Sequence, residues 1–415
     1  MTAALALLAS LLAATPAVPG ASAACVECHA RITPGAVADW RLSRHAEVSV
    51  GCDACHGTEH SRADDAARAR LPTPDTCGGC HAERLRQFQG GKHAMAWAAM
   101  NAMPTFHYQP AVLTEGRKGC GGCHAIGLKA EADAQRIARA SGRSYGVGSC
   151  DSCHTRHLFS VREARAPQAC RSCHTGFDHA QWEMYEQSKH GVRNQLVQLG
   201  VLPPGTSAPT CQECHMPGGD HGVITAWGFL GVRWPLPADP QWKADQLAIL
   251  KALGILDPAG KPTSLLQAMK GTRMARLTEE EWKEARARMA ETCARCHSAG
   301  FAASELQRGD DTLREADRLM AQAIEIVAGL YRDGILKRSP TQPFAYPSVL
   351  QFHDAPTVVE QRLSVMFHEH RMRAFQGAFH GSPDYALWYG WSEMQRDLAE
   401  IRERAAAMRR AARGK

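Results

Sequence analysis

The sequence predicts a mostly α-helical protein, with short helices and loops in its first part and long helices in its last. Three observations predict it. All 16 cysteines of the 415-residue chain fall in eight copies of C-x-x-C-H. Seven of these copies lie between Cys25 and His215, too close together for an ordinary hydrophobic core to form between them. After Ser298 the motif is absent and apolar residues recur at helical spacing, and strand patterns are scarce throughout.

Each C-x-x-C-H motif is an attachment sequence for c-type haem, whose vinyl groups bond the thiols while the histidine binds iron. A zinc ribbon has no obligatory histidine, and a redox dithiol occurs once, so eight copies argue against both. We therefore expect eight covalently attached haems and a multihaem cytochrome c fold in which the haems form the interior. The attachment residues are Cys25, Cys28, Cys52, Cys55, Cys77, Cys80, Cys120, Cys123, Cys150, Cys153, Cys170, Cys173, Cys211, Cys214, Cys293 and Cys296. The proximal iron ligands are His29, His56, His81, His124, His154, His174, His215 and His297.

The N-terminus resembles an export signal. An apolar run from Ala3 to Ala14 precedes Ala21-Ser22-Ala23, a small-residue cleavage site, although no Lys or Arg comes before the run. The run is too short to span a bilayer comfortably. We expect a signal peptide at 1–23, a periplasmic protein, and no transmembrane span after cleavage. The mild net charge of +6 does not indicate nucleic-acid binding.

The rest of the chain divides into an octahaem-binding region, 24–297, and a C-terminal helical region, 298–415. A capping box at Thr278–Glu281 predicts a helix that runs to about Cys293. Three further helices are expected: one over Arg314–Leu336, one over Val358–Phe379, and one opened by Ser382-Pro383 that runs towards Arg409.

Twelve of the 20 histidines remain after the eight proximal ligands are subtracted. A haem with two histidine ligands only transfers electrons, whereas a catalytic haem needs an open position, and the count permits both. Histidines close to a motif are the favoured distal ligands. They are His45, His60, His93, His157, His190 and His221, followed by His380 and His353.

Five segments, together with the order of the motifs and the long gap before the eighth, resemble the octahaem hydroxylamine oxidoreductase family. The resemblance runs from about Cys25 to Arg396. The segments are HAMAWAAMNAMPTFHYQPAVLTEGRKGCGGCHAIG from His93, CDSCHTRHLFS from Cys150, GFDHAQWEMYEQSKHGVR from Gly176, CQECHMPGGDH from Cys211 and FHGSPDYALWYGW from Phe379.

The resemblance implies that the fourth haem, held by Cys120, Cys123 and His124, is catalytic and has an open distal side. It implies that Asp178 and His179 are an acid–base pair over this haem. From the residues alone, Asp178 could instead cap a helix that begins near Ala180, and His179 could be a distal ligand or a surface residue.

The resemblance also implies a tyrosine that forms a covalent bond to the catalytic haem. Oxidising members of the family are trimers in which a neighbouring subunit's tyrosine is bonded to the catalytic haem. Here that residue is Tyr385 or Tyr389, with Tyr385 preferred, although an aromatic side chain at this position usually packs against a neighbour. Members without the tyrosine reduce nitrite or hydroxylamine. A sister group of nitrite reductases has lysine in the catalytic motif, whereas all eight motifs here end in histidine.

We expect an enzyme that oxidises hydroxylamine, or the related hydrazine, and passes electrons to a small cytochrome c or a quinone-linked partner. Oxidation to nitrite removes four electrons, which explains a need for many haems. One alternative is a reductase of the same fold. The other is a non-catalytic electron-transfer protein in which all eight irons have two histidine ligands.

Overall fold

The computed structural model describes residues 17–103, 110, 113, 119–140, 149–228, 230–233, 236–273 and 278–414. The side chains of residues 119, 120, 138–140 and 353 are outside this description, as are His107 and most of the predicted signal peptide. The described residues form helices and turns with no strand, and an isolated bridge pairs Leu256 with Pro262. The prediction of a mostly α-helical fold is confirmed.

The first part of the chain consists of short helices that carry the C-x-x-C-H motifs. Two motifs, Cys52–His56 and Cys211–His215, are each one complete helical turn, which places thiols and histidine on one face. The helices are α1 Ala23–Ile32, α2 Pro34–Arg41, α3 Arg44–Glu47, α4 Cys52–His56, α5 Pro74–Gly78, α6 Ala82–Gly90, α7 Ala96–Ala102, α8 Gly119–His124, α9 Glu131–Ala140, α10 Val161–Ala164, α11 Gln168–Arg171, α12 Gln181–Gln187, α13 Lys189–Gln198 and α14 Cys211–His215. Short 3₁₀ turns lie at Gly20–Ser22, Ala63–Arg68, His93–Met95, Cys150–Ser152 and Pro217–Gly219.

The second part has longer helices. They are α15 Pro240–Ala252, α16 Ser264–Thr272, α17 Glu279–Cys293, α18 Ala299–Arg332, α19 Val358–Val365, α20 Met372–Phe379 and α21 Ser392–Arg413, with π-helical segments at Met366–Arg371 and Tyr385–Trp391 and a 3₁₀ turn at Phe352–Asp354. Across the described ranges, no helix has the length and apolar character needed to cross a membrane.

The predicted helices are found with altered bounds. The capping box opens α17, where the Thr278 hydroxyl accepts the Glu281 amide. The helix predicted from Arg314 is the second half of α18, which begins at Ala299 behind a Ser298 cap. The region predicted as one helix from Ser382 is π-helical over Tyr385–Trp391 before α21 begins.

One apolar cluster joins the chain between the seventh and eighth motifs to the C-terminal helices. It extends from Ala226 to Ala405 and includes residues of α15, α18, α20 and α21. At its centre Arg371 is fully buried and donates to Asp317 and to the Leu230 and Gly231 carbonyls over 2.7–3.1 Å. The Asp317 carboxylate therefore compensates the charge of Arg371, and Arg371 links the 230–231 loop to Asp317 of α18.

Candidate haem sites and active site

Seven of the eight proximal histidines lie across from a second histidine at a nearly constant separation. The ring centroids are 6.1 Å apart for His29 and His60, 6.2 Å for His56 and His157, 6.3 Å for His81 and His45, 6.2 Å for His154 and His221, 6.1 Å for His174 and His93, 6.1 Å for His215 and His380, and 6.0 Å for His297 and His190. An imidazole nitrogen lies ~2 Å from a bound metal, so two imidazoles on one iron have centroids ~6 Å apart. The seven gaps therefore fit a haem iron held between two histidines.

Hydrogen bonds to carbonyls select the tautomer that iron requires. Nδ1 of His215 lies 2.8 Å from the Ile224 carbonyl, and Nδ1 of His380 lies 2.7 Å from the Gln376 carbonyl. Because a carbonyl only accepts, Nδ1 carries the hydrogen and the Nε2 lone pair is available for the metal. Burial lowers the pKa of both rings, to about 4 for His380, which keeps them neutral.

Seven of the eight predicted distal histidines, all except His353, belong to one of these pairs, but the partner is not the one that proximity in sequence suggests. His60 follows His56 by four residues yet faces His29, and His157 follows His154 yet faces His56. In both cases the histidine that follows a motif faces the proximal histidine of a different motif. His353 is also a predicted distal ligand, and His107 is one of the remaining histidines. Both side chains lie outside the described residues.

The attachment cysteines of different motifs approach one another. Cys77 and Cys150 are close enough to shift each other's pKa, and so are Cys170 and Cys211. Electrostatic contacts link Cys25 with Cys52, Cys55 with Cys77, Cys153 with Cys170, and Cys214 with Cys293. These contacts place the motifs in the spatial order first, second, third, fifth, sixth, seventh and eighth.

The fourth motif branches from this series. The Cys123 thiol lies 3.9 Å from the carbonyl of Ser172, inside the sixth motif, while the Cys120 side chain is outside the described residues. Of the side chains that the structure describes, none places a histidine ring across from His124 as in the seven pairs. Burial lowers the pKa of His124, and the charge of His179 lowers it further. His179 and Asp178 are therefore close to the fourth motif.

Asp178 and His179 form a pair in the loop before α12. The Asp178 carboxylate accepts a hydrogen bond from Nδ1 of His179, and the two side chains are 19% and 22% exposed. Burial lowers the pKa of His179, but the bond to Asp178 and its charge outweigh burial, and the pKa is raised. The capping alternative for Asp178 is wrong, because α12 begins at Gln181 with Ala180 as its uncapped N-cap.

Helix α12 joins this loop to the predicted tyrosines. Gln181 donates to Gln376 of α20 over 3.0 Å, and Tyr385 packs on Ala180 and Met184. Tyr385 is 6% exposed, whereas Tyr389 is 53% exposed, and their rings are 5.0 Å apart. The preferred tyrosine is thus enclosed by its own chain, and the second tyrosine faces outward.

Sequence reasoning missed Glu183 of α12. Its Oε1 accepts the Thr175 hydroxyl at 2.6 Å and the Gly176 amide at 3.4 Å. Its charge acts on both His179 and Tyr385. The available signal is a repeat: the fifth and sixth motifs are each followed by Thr and, eight residues later, Glu, and Thr155 likewise donates to Glu163.

Comparison with known proteins places the chain among multihaem cytochromes. A family model described as seven times multi-haem cytochrome CxxCH matches residues 47–240 and 268–343, more than half of the chain. A model for cytochrome c554 and c-prime matches residues 11–57. A probable nitrite reductase-hydroxylamine oxidoreductase fusion protein of Kuenenia stuttgartiensis is 26% identical over 93% of the chain. The chain covers 51% of that relative, so it spans about half its length.

Two solved structures resemble the chain over nearly its full length. A reducing HAO-like protein complex of Kuenenia stuttgartiensis is 25% identical with a TM-score of 0.66, over 94% of this chain and 85% of that one. A hypothetical multiheme protein, 20% identical with a TM-score of 0.69 over 96% and 97% of the two chains, shares the fold. The predicted multihaem cytochrome fold and the resemblance to hydroxylamine oxidoreductases are confirmed.

Proposed function

Because the chain belongs to the multihaem C-x-x-C-H cytochrome family and is hydroxylamine-oxidoreductase-like, we propose that it is a periplasmic octahaem enzyme that oxidises hydroxylamine, to nitrite or NO. The observation that carries the proposal is the contrast between the fourth motif and the other seven. Seven proximal histidines face a second imidazole, whereas His124 has Asp178 and His179 nearby. We assign the reaction to the open side of the fourth haem.

The bound haems supply iron that accepts electrons one at a time. The chain determines their order through its thiol contacts. Cys123 beside Ser172 puts the fourth attachment site next to the sixth, from which the series extends to both ends. Electrons withdrawn at the fourth site therefore have a route to the surface, where we propose that a small cytochrome c or a quinone-linked protein collects them.

His179 receives protons from the substrate in this proposal. Its Nδ1 is engaged by Asp178, so Nε2 is the basic nitrogen. Asp178 stabilises the imidazolium that forms and orients the ring. The exposure of about one fifth of each side chain leaves room for a small molecule such as hydroxylamine or hydrazine to approach.

The direction of catalysis depends on the tyrosine. Burial of Tyr385 against its own α12 argues against the preferred assignment, because a neighbouring subunit's haem cannot reach a phenol enclosed in this way. The exposure of Tyr389 supports it as the residue that bonds the fourth haem of a neighbouring subunit in a homotrimer.

A second candidate is reduction of nitrite or hydroxylamine at the same site. The enclosed Tyr385 favours it, and a relative of similar fold is described as a reducing HAO-like complex. The two candidates share the open fourth haem and differ in the crosslink.

A haem-stained denaturing gel of boiled protein, matured in a host with c-type haem machinery, separates the candidates. Oxidation predicts a ladder up to trimer that Tyr389→Phe collapses to monomer and that Tyr385→Phe leaves intact. A monomer band alone excludes the crosslink and leaves reduction or electron transfer. Electron paramagnetic resonance then tests for an open haem. If all haems are low-spin, both enzymatic candidates are excluded and the chain is an electron carrier.

A further inference from the structure

We infer that Gln376 is a positioning residue that lowers the reduction potential of the sixth haem through the side chain of Gln181. The two amides form a chain of hydrogen bonds that begins at His174, the proximal histidine of the sixth motif, and ends in α20. The consequence for electron transfer rests on the proposed function. Because the fourth motif lies beside the sixth, electrons from the proposed reaction site pass the sixth haem first.

The hydrogen bonds of this chain connect the ligands of two haems. Nδ1 of His174 lies 3.3 Å from Oε1 of Gln181, and Nε2 of Gln181 donates to Oε1 of Gln376 over 3.0 Å. Gln376 is 4% exposed, so water has little access to its side chain. The main-chain carbonyl of Gln376 accepts from Nδ1 of His380, the histidine across from His215, over 2.7 Å. Gln376 therefore serves the sixth haem with its side chain and the seventh with its carbonyl.

Iron ligation fixes the orientation of both amides. His174 faces His93 across 6.1 Å, and with iron bound at Nε2 its Nδ1 carries a hydrogen and needs an acceptor. The oxygen is the only acceptor of a glutamine amide, so Oε1 of Gln181 must face the ring. The NH2 group of Gln181 then faces Oε1 of Gln376, which accepts. A reversed Gln181 amide would set donor against donor at the ring and acceptor against acceptor at Gln376.

The partner of His174 differs in kind from that of another proximal histidine. Nδ1 of His215 lies 2.8 Å from the Ile224 carbonyl, which the main chain holds in place. The end of a glutamine side chain can rotate and exchange its oxygen for its NH2 group. The bond to Gln376 opposes that rotation, so Gln376 keeps the oxygen of Gln181 on the His174 ring.

The sign of the effect follows from ligand basicity. A hydrogen bond donated by Nδ1 makes a histidine ligand more basic, and a more basic ligand stabilises ferric over ferrous iron. Consecutive hydrogen bonds also polarise and strengthen one another. The two amides together therefore lower the potential of the sixth haem. Loss of the Gln376 acceptor should raise it, although Gln376 does not touch the His174 ring.

A purely structural link between α12 and α20 is the competing explanation. Such a link would lower stability when broken and leave the haem potentials unchanged. The fifth and sixth motifs share the Thr–Glu loop contact, but Val161 stands seven residues after His154, whereas Gln181 stands seven residues after His174. The Trp182 amide also donates to the His174 carbonyl over 2.9 Å, so the main chain already joins α12 to the sixth motif. Neither contact requires an amide side chain at position 181.

Potentiometric titration of the holoprotein, followed by electron paramagnetic resonance, tests the inference without substrate. His93→Gly identifies the low-spin signal of the sixth haem, because it removes the histidine across from the proximal ligand. The variants to compare are Gln376→Leu, Gln181→Leu, the double variant, and Gln376→Glu, which retains an acceptor oxygen. Gln342→Leu is the matched control, since Gln342 is 2% exposed and donates to the Tyr331 hydroxyl over 2.7 Å rather than to a haem ligand.

We expect Gln376→Leu to shift the ferric–ferrous equilibrium of the sixth haem about tenfold towards ferrous, which is about 59 mV for a one-electron couple. The double variant should equal Gln181→Leu, because Gln376 acts through Gln181. Gln376→Glu should not raise the potential, and Gln342→Leu should match wild type. The seventh haem should keep its potential, because the carbonyl that serves His380 is retained.

An unchanged potential in Gln376→Leu, an equal shift in Gln342→Leu, or additive shifts in the double variant would overturn the inference. Should Gln376→Leu not load eight haems, Gln376→Asn replaces it, because its shorter side chain withdraws the acceptor oxygen, and a shift of the same sign is expected. Since no substrate is present, these potentials do not depend on hydroxylamine oxidation. Absence of an open fourth haem would overturn the proposed function and leave the measured shift of the sixth haem valid.

Discussion

The hydrogen bond between Asp178 and His179 determines the protonation of the proposed active site. Two effects on His179 oppose each other: burial lowers its pKa, while the bond to Asp178 and the carboxylate charge raise it. Their balance leaves the pKa of His179 above its ordinary value. A base with a raised pKa loses activity as pH falls through that value, because the ring is then already protonated.

Replacing Asp178→Asn should therefore move the acidic limb of kcat/KM to lower pH. The substitution removes the influence that raises the pKa of His179 and leaves burial, which lowers it. The maximal rate should also fall. The largest expected loss is about 10²–10⁴-fold, which is the typical contribution of a general base. The measurement is a pH profile of hydroxylamine oxidation, with Asp311→Asn on the exposed face of α18 as the control. An acidic limb that stays in place would contradict the assignment of His179 as the base.

Arg371→Met should destabilise the folded protein by about 3–5 kcal/mol, because it leaves the buried Asp317 without its cation. Arg318→Met, which breaks an exposed pair with Glu315, should cost under about 1 kcal/mol. Denaturant unfolding followed by circular dichroism measures both. Similar losses in the two variants would show that the buried pair contributes no more than a surface pair.

At the scale of elements, the π-helical segment Tyr385–Trp391 packs tightly on α20. A Cβ at Gly390 would lie 2.4 Å from the Ala374 nitrogen, and one at Gly377 would lie 3.0 Å from the Ala386 nitrogen. The two glycines allow the backbones to approach each other. This contact sets which face of the segment is enclosed, with Tyr385 inside and Tyr389 outside.

Gly390→Ala should push the segment away from α20 and lower stability by about 1–3 kcal/mol. In the proposed trimer it should also displace Tyr389 and reduce the fraction of crosslinked subunits on the denaturing gel. Gly300→Ala is the matched control in α18, because a Cβ there meets nothing within 4 Å. Thermal unfolding compares the two, and equal shifts would show that close packing at Gly390 is not responsible.

At the scale of the whole molecule, the thiol contacts arrange seven motifs in one series with the fourth as a branch beside the sixth. Their spatial order departs from their order in sequence only at this branch. The branch lies beside the sixth motif, within the series, and the series ends at the first and eighth motifs. In the proposed function, the reaction site is therefore separate from the ends of the series, where electrons would leave.

The pairing of His215 with His380 gives a test at this scale. In His380→Gly the intact mass should still correspond to eight haems, since the thiols and His215 are retained, but a second high-spin haem should appear. Added imidazole should return it to low spin by filling the gap between the ring of His215 and α20. An unchanged spin state would show that His380 is not an iron ligand.

Much of this organisation could be predicted from the sequence. The helical class, the α17 capping box and the set of distal histidine candidates all follow from local patterns. The pairing of His60 with His29 could not, because each distal ring comes from a segment that only folding brings near. Glu183 could not be singled out from the sequence either, because its distinguishing property is a buried carboxylate oxygen, Oε2, without a hydrogen-bond partner among the described residues.

Covalent haem attachment could be read from C-x-x-C-H without any structure, because its chemistry lies within five consecutive residues. Family membership also followed from local motifs and their order. Packing in three dimensions was needed for the rest. It places Cys123 beside Ser172, encloses Tyr385 while exposing Tyr389, and pairs His60 with His29. These relations depend on contacts between distant segments and on burial, and neither is encoded in the spacing of residues along one stretch of chain.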